Sequence, residues 1–238
     1  MAGALQADRA HVRHALLLVA LLSFHVAGPT VQSVSPRISI LLLLPLYVVL
    51  LGSSALAVLH GRERLLVSVL AVPLGLAIPV VLLTESPQPH ALPVAALPFL
   101  AYTSYVVFRG VLAPGVVDEA RLLGSASVFI LMAQVWAGVY SALEWIAPGS
   151  LTQGNEQPLR PGDLAYFSVV TQTTLGYGDI APVSGTARAL ATLQAMAGLF
   201  YMAVVVARFA GGYRLGRPTG SDAGGVASEA QNPSRSVE

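Results

Sequence analysis

Residues 171–179 read TQTTLGYGD, and this stretch decides how the rest of the chain is interpreted. Gly176 and Gly178 alternate in it with larger residues. In an ordinary strand the backbone carbonyl groups of successive residues point to opposite sides. Left-handed conformations at every second residue bring these carbonyl groups to one side. Glycine adopts those conformations at little steric cost. Because carbonyl oxygens on one side can replace the water around a cation, the stretch predicts a cation-coordinating strip of backbone.

Apolar segments long enough to cross a bilayer flank this strip. A helix needs about 20 apolar residues to cross the hydrocarbon core of a membrane. The chain has 238 residues, 55% apolar and 11% charged, and six of its segments meet that length. They are approximately 15–34, 38–59, 65–83, 91–108, 122–146 and 186–209. We therefore expect an all-α membrane protein with six transmembrane helices.

A short apolar stretch precedes the strip, between the fifth and sixth predicted helices. Residues 148–162 form a polar loop, and residues 163–173 are mostly apolar but too few to span a membrane. Re-entrant segments have this length, and Pro161, Gly162 and Asp163 favour the start of a helix. We therefore expect a short re-entrant helix that leads directly into the strip, and the family resemblance described below implies that it is a pore helix.

The arginines indicate the orientation in the membrane. If both termini are cytoplasmic, ten of the thirteen arginines lie on the cytoplasmic side. Cytoplasmic loops of membrane proteins carry an excess of lysine and arginine, so this orientation is favoured. We therefore expect a multi-pass protein of the cell membrane, from a bacterium, with both termini inside. Arg9 and Arg13 before an apolar run are also typical of a secretory signal peptide. Its removal would leave five spans and an external N-terminus.

Composition argues against several other classes of function. The chain has no cysteine, which excludes disulfides and thiolate metal sites. Its net charge of +1 argues against a nucleic-acid partner. The sequence contains no nucleotide-binding loop, no cluster of metal ligands and no charge relay within the spans. We therefore expect neither an enzyme nor a cofactor.

Residues 173–179 closely resemble the signature of the potassium-channel family, and the resemblance extends over about 122–210. It implies that the backbone carbonyls of Thr174, Leu175, Gly176 and Tyr177 coordinate K+, with Gly178 completing the selectivity filter. The Thr174 hydroxyl would add the innermost ring of oxygens. One chain carries a single strip and encircling an ion takes four, so the expected assembly is a homotetramer around a central pore, surrounded by membrane lipid.

The same resemblance implies functions for side chains around the filter. Tyr166 and Phe167 stand where the family commonly has paired tryptophans, and they would form an aromatic cuff. Tyr166 would be able to donate a hydrogen bond to Asp179. Glu144, at the outer end of the fifth helix, would either accept hydrogen bonds from the backbone behind the filter or be a solvated carboxylate at the interface.

The sixth helix carries the candidate gate. Gly198 lies nineteen residues after Asp179, where the family has a hinge glycine, although small residues also mark packed helix interfaces. Four apolar residues follow at helical spacing and would line the cavity and lower gate, or else face lipid. They are Leu199, Met202, Val206 and Ala210.

The predicted domains follow from these segments. Residues 1–14 are a cytoplasmic N-terminus, 15–108 a four-helix membrane bundle, 109–121 a cytoplasmic linker, 122–210 the pore domain and 211–238 a disordered tail. A voltage sensor needs arginines within the membrane, and 91–108 has none, so the bundle is not expected to sense voltage. His25 is expected at the membrane interface.

Two other functions are compatible with a pore fold. One is a non-conducting subunit, and the other is a weakly selective cation channel. The second would be expected to lose the equivalent of Tyr177 or Gly178, and both are present. The sequence therefore favours selective, passive conduction of K+.

Overall fold

The computed structural model describes residues 2–32, 49–54, 63, 65–72, 74–75, 89–114, 118–154 and 158–215. Nearly all of these residues are helical, and the described part of the chain also has two strands of two residues each. The helices are α1 (Ala2–Gln32), α2 (Ala91–Leu112), α3 (Glu119–Ile146), α4 (Pro161–Gln172) and α5 (Gly185–Leu215), and the strands are β1 (Leu151–Thr152) and β2 (Ala181–Pro182).

Four of the described helices are long and apolar enough to cross a membrane. The qualifying windows are Ala10–Ala27, Ala91–Leu112, Glu119–Ile146 and Gly185–Gly211. They correspond to the first, fourth, fifth and sixth predicted spans, and they identify the chain as a helical membrane protein. Of the second and third predicted spans, the structure describes residues 49–54, 65–72 and 74–75, all of them helical. The rest of these two spans and most of the predicted tail lie outside the described residues.

The observed helices are longer than predicted. α1 begins at Ala2, within the predicted N-terminal segment, and α5 continues to Leu215, past the predicted start of the tail. α2 continues to Leu112 and α3 begins at Glu119, so the linker predicted at 109–121 shrinks to 113–118. Pro114 restricts the residue before it, which ends α2, and the Asp118 carboxylate caps α3 by accepting the Arg121 amide at 2.9 Å.

α1 and α2 both pack against α3 of the same chain. The buried cluster that joins them includes Leu17 and Leu21 of α1, Phe99 of α2 and Leu131 of α3. Gly138 of α3 permits a close approach, because a Cβ there would lie 2.7 Å from Cδ2 of Leu97. The peripheral helices are therefore fixed to the outer surface of the α3–α5 unit.

His25 of α1 lies against a polar side chain of α3, while its position at the membrane interface stays a prediction. Its Nδ1 lies 3.2 Å from Nε2 of Gln134, near the middle of α3. A polar side chain at that depth is costly without a partner, and Gln134 provides one across the α1–α3 contact.

The short helix α4 contacts α3 and α5 and leads into the predicted filter. A buried cluster that includes Tyr140, Leu164, Phe167 and Ile180 fills the space between them. β1 pairs antiparallel with β2, with Leu151 opposite Pro182. Because β1 follows α3 and β2 follows the filter segment, this small sheet ties the outer end of that segment to the loop after α3.

Candidate functional site: the filter segment and its supports

The backbone of the filter segment alternates in handedness. Thr174, Gly176 and Gly178 have φ values of +58°, +56° and +80°. Left-handed residues at every second position are what the sequence predicted for a strip with its carbonyls on one side. The prediction rested on the two glycines and did not include Thr174. A left-handed non-glycine residue costs about 1–2 kcal/mol, and threonine gives no signal of this conformation in a sequence.

Hydrogen bonds hold the beginning of this segment to the last turn of α4. The amides of Leu175 and Gly176 donate to the Val170 carbonyl at 3.0 and 3.4 Å, and the Thr174 amide donates to the Thr171 carbonyl at 3.1 Å. The C-terminus of a helix carries partial negative charge. The segment therefore starts beside a helix end that favours a cation.

The start of α4 follows the predicted signals. The helix begins at Pro161, two residues before the predicted start at 163, and ends at Gln172, one residue before the predicted end at 173. The Asp163 carboxylate accepts the Arg160 amide at 2.8 Å, which satisfies a donor at the helix start.

Tyr166 and Phe167, which were predicted to form an aromatic cuff, contact different parts of the chain. The Tyr166 hydroxyl is hydrogen-bonded to the Asp179 carboxylate at the end of the filter segment. Phe167 is buried and packs edge-on against Tyr140 of α3, with ring centroids 5.0 Å apart. Within one chain, Tyr166 therefore contacts the filter segment directly, whereas Phe167 anchors α4 to α3.

Glu144 binds a different segment of backbone from the one predicted. Its Oε2 accepts the Gly149 amide at 3.0 Å, and its Oε1 accepts the Leu151 amide at 2.7 Å. The turn at Gly149, with φ +80°, brings this backbone back to the end of α3. Glu144 therefore holds β1, and the pairing of β1 with β2 connects it to the end of the filter segment.

Replacing Glu144 by alanine should destabilise the loop after α3 and the β1–β2 sheet that it holds. The Leu151 amide would lose its acceptor in a buried position, at a cost of about 1–3 kcal/mol. We expect a lower thermal midpoint in detergent, with an intermediate loss for Glu144→Gln, which keeps one acceptor oxygen. A Glu144→Ala protein as stable as the wild type would show that these bonds contribute nothing.

Gly198 lies at a tight contact between α5 and the end of α4. A Cβ at this position would overlap the carbonyl oxygen of Gln172 and would lie 3.2 Å from its carbonyl carbon. The helix continues through Gly198 from Gly185 to Leu215. This geometry supports the packing interpretation of Gly198, while its function as a hinge stays a prediction.

The four predicted pore-lining residues share a face of α5 that is exposed in the single chain. Leu199, Met202, Val206 and Ala210 are exposed, whereas Gln194, Tyr201 and Val205 are buried against the same chain. The face with the predicted lining is therefore available for a pore, for neighbouring chains or for lipid.

Residues 128–211 match the model of the Ion_trans_2 family, described as "Ion channel". The match spans most of α3, all of α4, the filter segment and α5 as far as Gly211. Over these residues the chain is therefore similar to an ion-channel domain. A 72-residue stretch is 38% identical to the inward rectifier potassium channel Kirbac3.1 of Paramagnetospirillum magnetotacticum, covering 29% of this chain and 24% of that protein. The chain thus aligns with about a quarter of that relative's length, and no solved structure matches.

The two matches together support the potassium-channel family that the sequence predicted. They point to a channel and not to an enzyme. The family match begins at Val128, within α3, so α1, α2 and the first turns of α3 lie outside it.

The channel domain also contains polar residues that were not predicted to have a function. Tyr140, Ser168, Gln172 and Gln194 are each at most 2% exposed. They come from α3, α4 and α5, and they meet behind the filter segment. A glutamine in the middle of an apolar helix such as α5 is the signal that could have found them, because such a residue needs a partner at that depth.

Proposed function

We propose that this chain is one subunit of a potassium-selective channel that conducts K+ passively through the backbone of residues 174–178. The observation that carries the proposal is the left-handed conformation of Thr174, Gly176 and Gly178. With every second residue left-handed, successive carbonyls face one side of the strip. The ion-channel match over residues 128–211 supports it.

In this proposal the filter replaces the water that K+ loses on entering a narrow pore. The carbonyls of Thr174, Leu175, Gly176 and Tyr177 supply the oxygens, together with the Thr174 hydroxyl. The C-terminal end of α4 favours the cation on the cytoplasmic side of the filter. Below it, Leu199, Met202 and Val206 line an apolar cavity.

Exposure of the filter segment supports a homotetramer. Every residue from 173 to 179 is exposed in the single chain, including Leu175 at 55% and Tyr177 at 67%. Apolar side chains exposed as a group mark a surface that is covered in the assembly. Four copies around one axis would cover them and would place four strips around the ion.

The arginine contacts support an orientation with the termini inside. Arg121 of α3 and Arg208 of α5 both donate to the Ala113 carbonyl, each at 2.7 Å, so both lie at the linker end of the bundle. Arg109 at the end of α2 pairs with Glu63 at 2.6 Å. Arginines gathered at one end indicate the cytoplasmic face, and α2 carries none deeper in the membrane, consistent with weak or absent voltage sensing.

The assembly and its ion site can be tested on the purified protein. We expect a tetrameric mass in detergent and a higher thermal midpoint in K+ than in Na+ at equal ionic strength, because an ion that binds only the assembled filter stabilises it. A monomer or dimer, or a tetramer with the same midpoint in both salts, would contradict the proposal.

A further inference from the structure

A glutamine of α5 joins three helices behind the filter segment. Nε2 of Gln194 donates to the carbonyl oxygen of Ser168 at 2.8 Å and lies 2.7 Å from its Oγ. The Tyr140 hydroxyl donates to Oε1 of Gln194 at 2.7 Å. All three side chains are fully buried, so water does not compete for these groups.

α4 is also tied to α3 at the same level. Oγ of Ser168 donates to the Ala133 carbonyl at 2.6 Å, and Nε2 of Gln172 donates to the Phe129 carbonyl at 2.7 Å. Oε1 of Gln172 lies 3.5 Å from Nε2 of Gln194. Over the single turn from Ser168 to Gln172, α4 therefore donates two hydrogen bonds to α3, and three of its oxygens lie within hydrogen-bond distance of Nε2 of Gln194 in α5.

This turn is the one that holds the filter segment. Val170 lies between Ser168 and Gln172, and its carbonyl accepts the amides of Leu175 and Gly176. A displacement of the turn would therefore move the first carbonyls of the filter directly. Gly198 packs on the same turn, against the Gln172 carbonyl. α5 therefore contacts this turn of α4 at two positions, Gln194 and Gly198.

We propose that Gln194 is a positioning residue for ion selectivity, which sets the width of the filter by holding the last turn of α4. The inference rests on the proposed function, because it assigns a determinant of selectivity to a filter that residues 174–178 would form. Gln194 touches no ion, and it acts through Ser168 and the Val170 carbonyl.

Tyr140 offers a matched control. Tyr140→Phe removes one buried hydrogen bond of Gln194 but leaves both of its contacts with Ser168. Gln194→Met keeps a similar side-chain volume and removes the bonds to Ser168 and Tyr140 together. If the network served stability alone, both variants would lower the thermal midpoint and neither would alter selectivity.

The test compares the K+/Na+ permeability ratio of the wild type and the two variants, taken from reversal potentials in planar bilayers. We expect Gln194→Met to lower this ratio about tenfold. A factor of ten corresponds to about 1.4 kcal/mol, which is close to the contribution of one buried hydrogen bond. The difference between its thermal midpoints in K+ and in Na+ should shrink as well. Tyr140→Phe should stay within about twofold of the wild-type ratio.

A Gln194→Met channel with the wild-type ratio would overturn the inference. If that variant does not assemble, Gln194→Asn tests the same link, because its amide lies on a side chain one methylene shorter and is withdrawn from both oxygens of Ser168. A wild-type ratio in Gln194→Asn would then overturn it. Failure of the proposed function is recognised separately, because the wild type itself would then show no preference for K+.

Discussion

Replacing Gly198 by alanine is expected to abolish assembly of the channel domain. The new Cβ would overlap the carbonyl oxygen of Gln172, which belongs to the backbone and cannot rotate away. Either α5 or the last turn of α4 has to shift, at a cost of about 3 kcal/mol, the upper end of ordinary overpacking. Size-exclusion chromatography in detergent should show loss of the tetramer, and liposomes should show no K+ uptake.

Gly211 provides the control on the same helix. A Cβ at Gly211 would meet no atom within 4 Å, so Gly211→Ala adds a methyl group to α5 without a clash. We expect this variant to assemble and conduct as the wild type does. A Gly198→Ala protein with normal assembly and flux would show that the α4–α5 contact is looser than described.

Replacing Gly178 by alanine is expected to remove the preference for K+ over Na+. Gly178 has φ +80°, a conformation that costs an L-residue about 1–2 kcal/mol, or roughly 4–8 kcal/mol over four subunits. The filter backbone would relax, and its carbonyls would no longer face one side together. The K+/Na+ permeability ratio in planar bilayers should fall towards one.

A Gly149→Ala variant distinguishes the effect of backbone strain itself from the effect of strain within the filter segment. It has the same φ of +80°, and at neither glycine would a Cβ meet an atom within 4 Å. Gly149→Ala therefore introduces the same strain in the loop after α3, and we expect it to lower stability while leaving the permeability ratio unchanged. Equal effects of the two substitutions on selectivity would mean that residues 174–178 form only a turn.

The main features of the channel domain were predictable because their signals are local. Gly176 and Gly178 indicate left-handed backbone by residue type, and Pro161 with Asp163 indicates the start of α4 within two residues of its observed position. The four described membrane helices follow from apolar length alone.

The contacts that support the candidate site were not predictable, because they join residues far apart in the chain. Glu144 finds its partners only after the turn at Gly149 reverses the chain. Gln194 lies 26 residues from Ser168, its acceptor. The helical pattern of α5 indicates which residues share a face, but it does not indicate which helix that face meets.

His25 illustrates the same limit in the peripheral bundle. His25 lies in the middle of the predicted span 15–34, and the sequence does not indicate which residue it contacts. The contact with Gln134 depends on how far α1 is displaced along α3, and helix packing sets that displacement. Likewise, Thr174 adopts its left-handed conformation because the neighbouring strip requires it, and not because threonine favours it.

The reversal potential of the purified protein, with K+ on one side of a bilayer and Na+ on the other, tests the central claim most directly. A filter formed by the carbonyls of residues 174–178 predicts a reversal close to the K+ equilibrium potential. A current that reverses near zero would contradict this account, because it would show a pore that does not select K+.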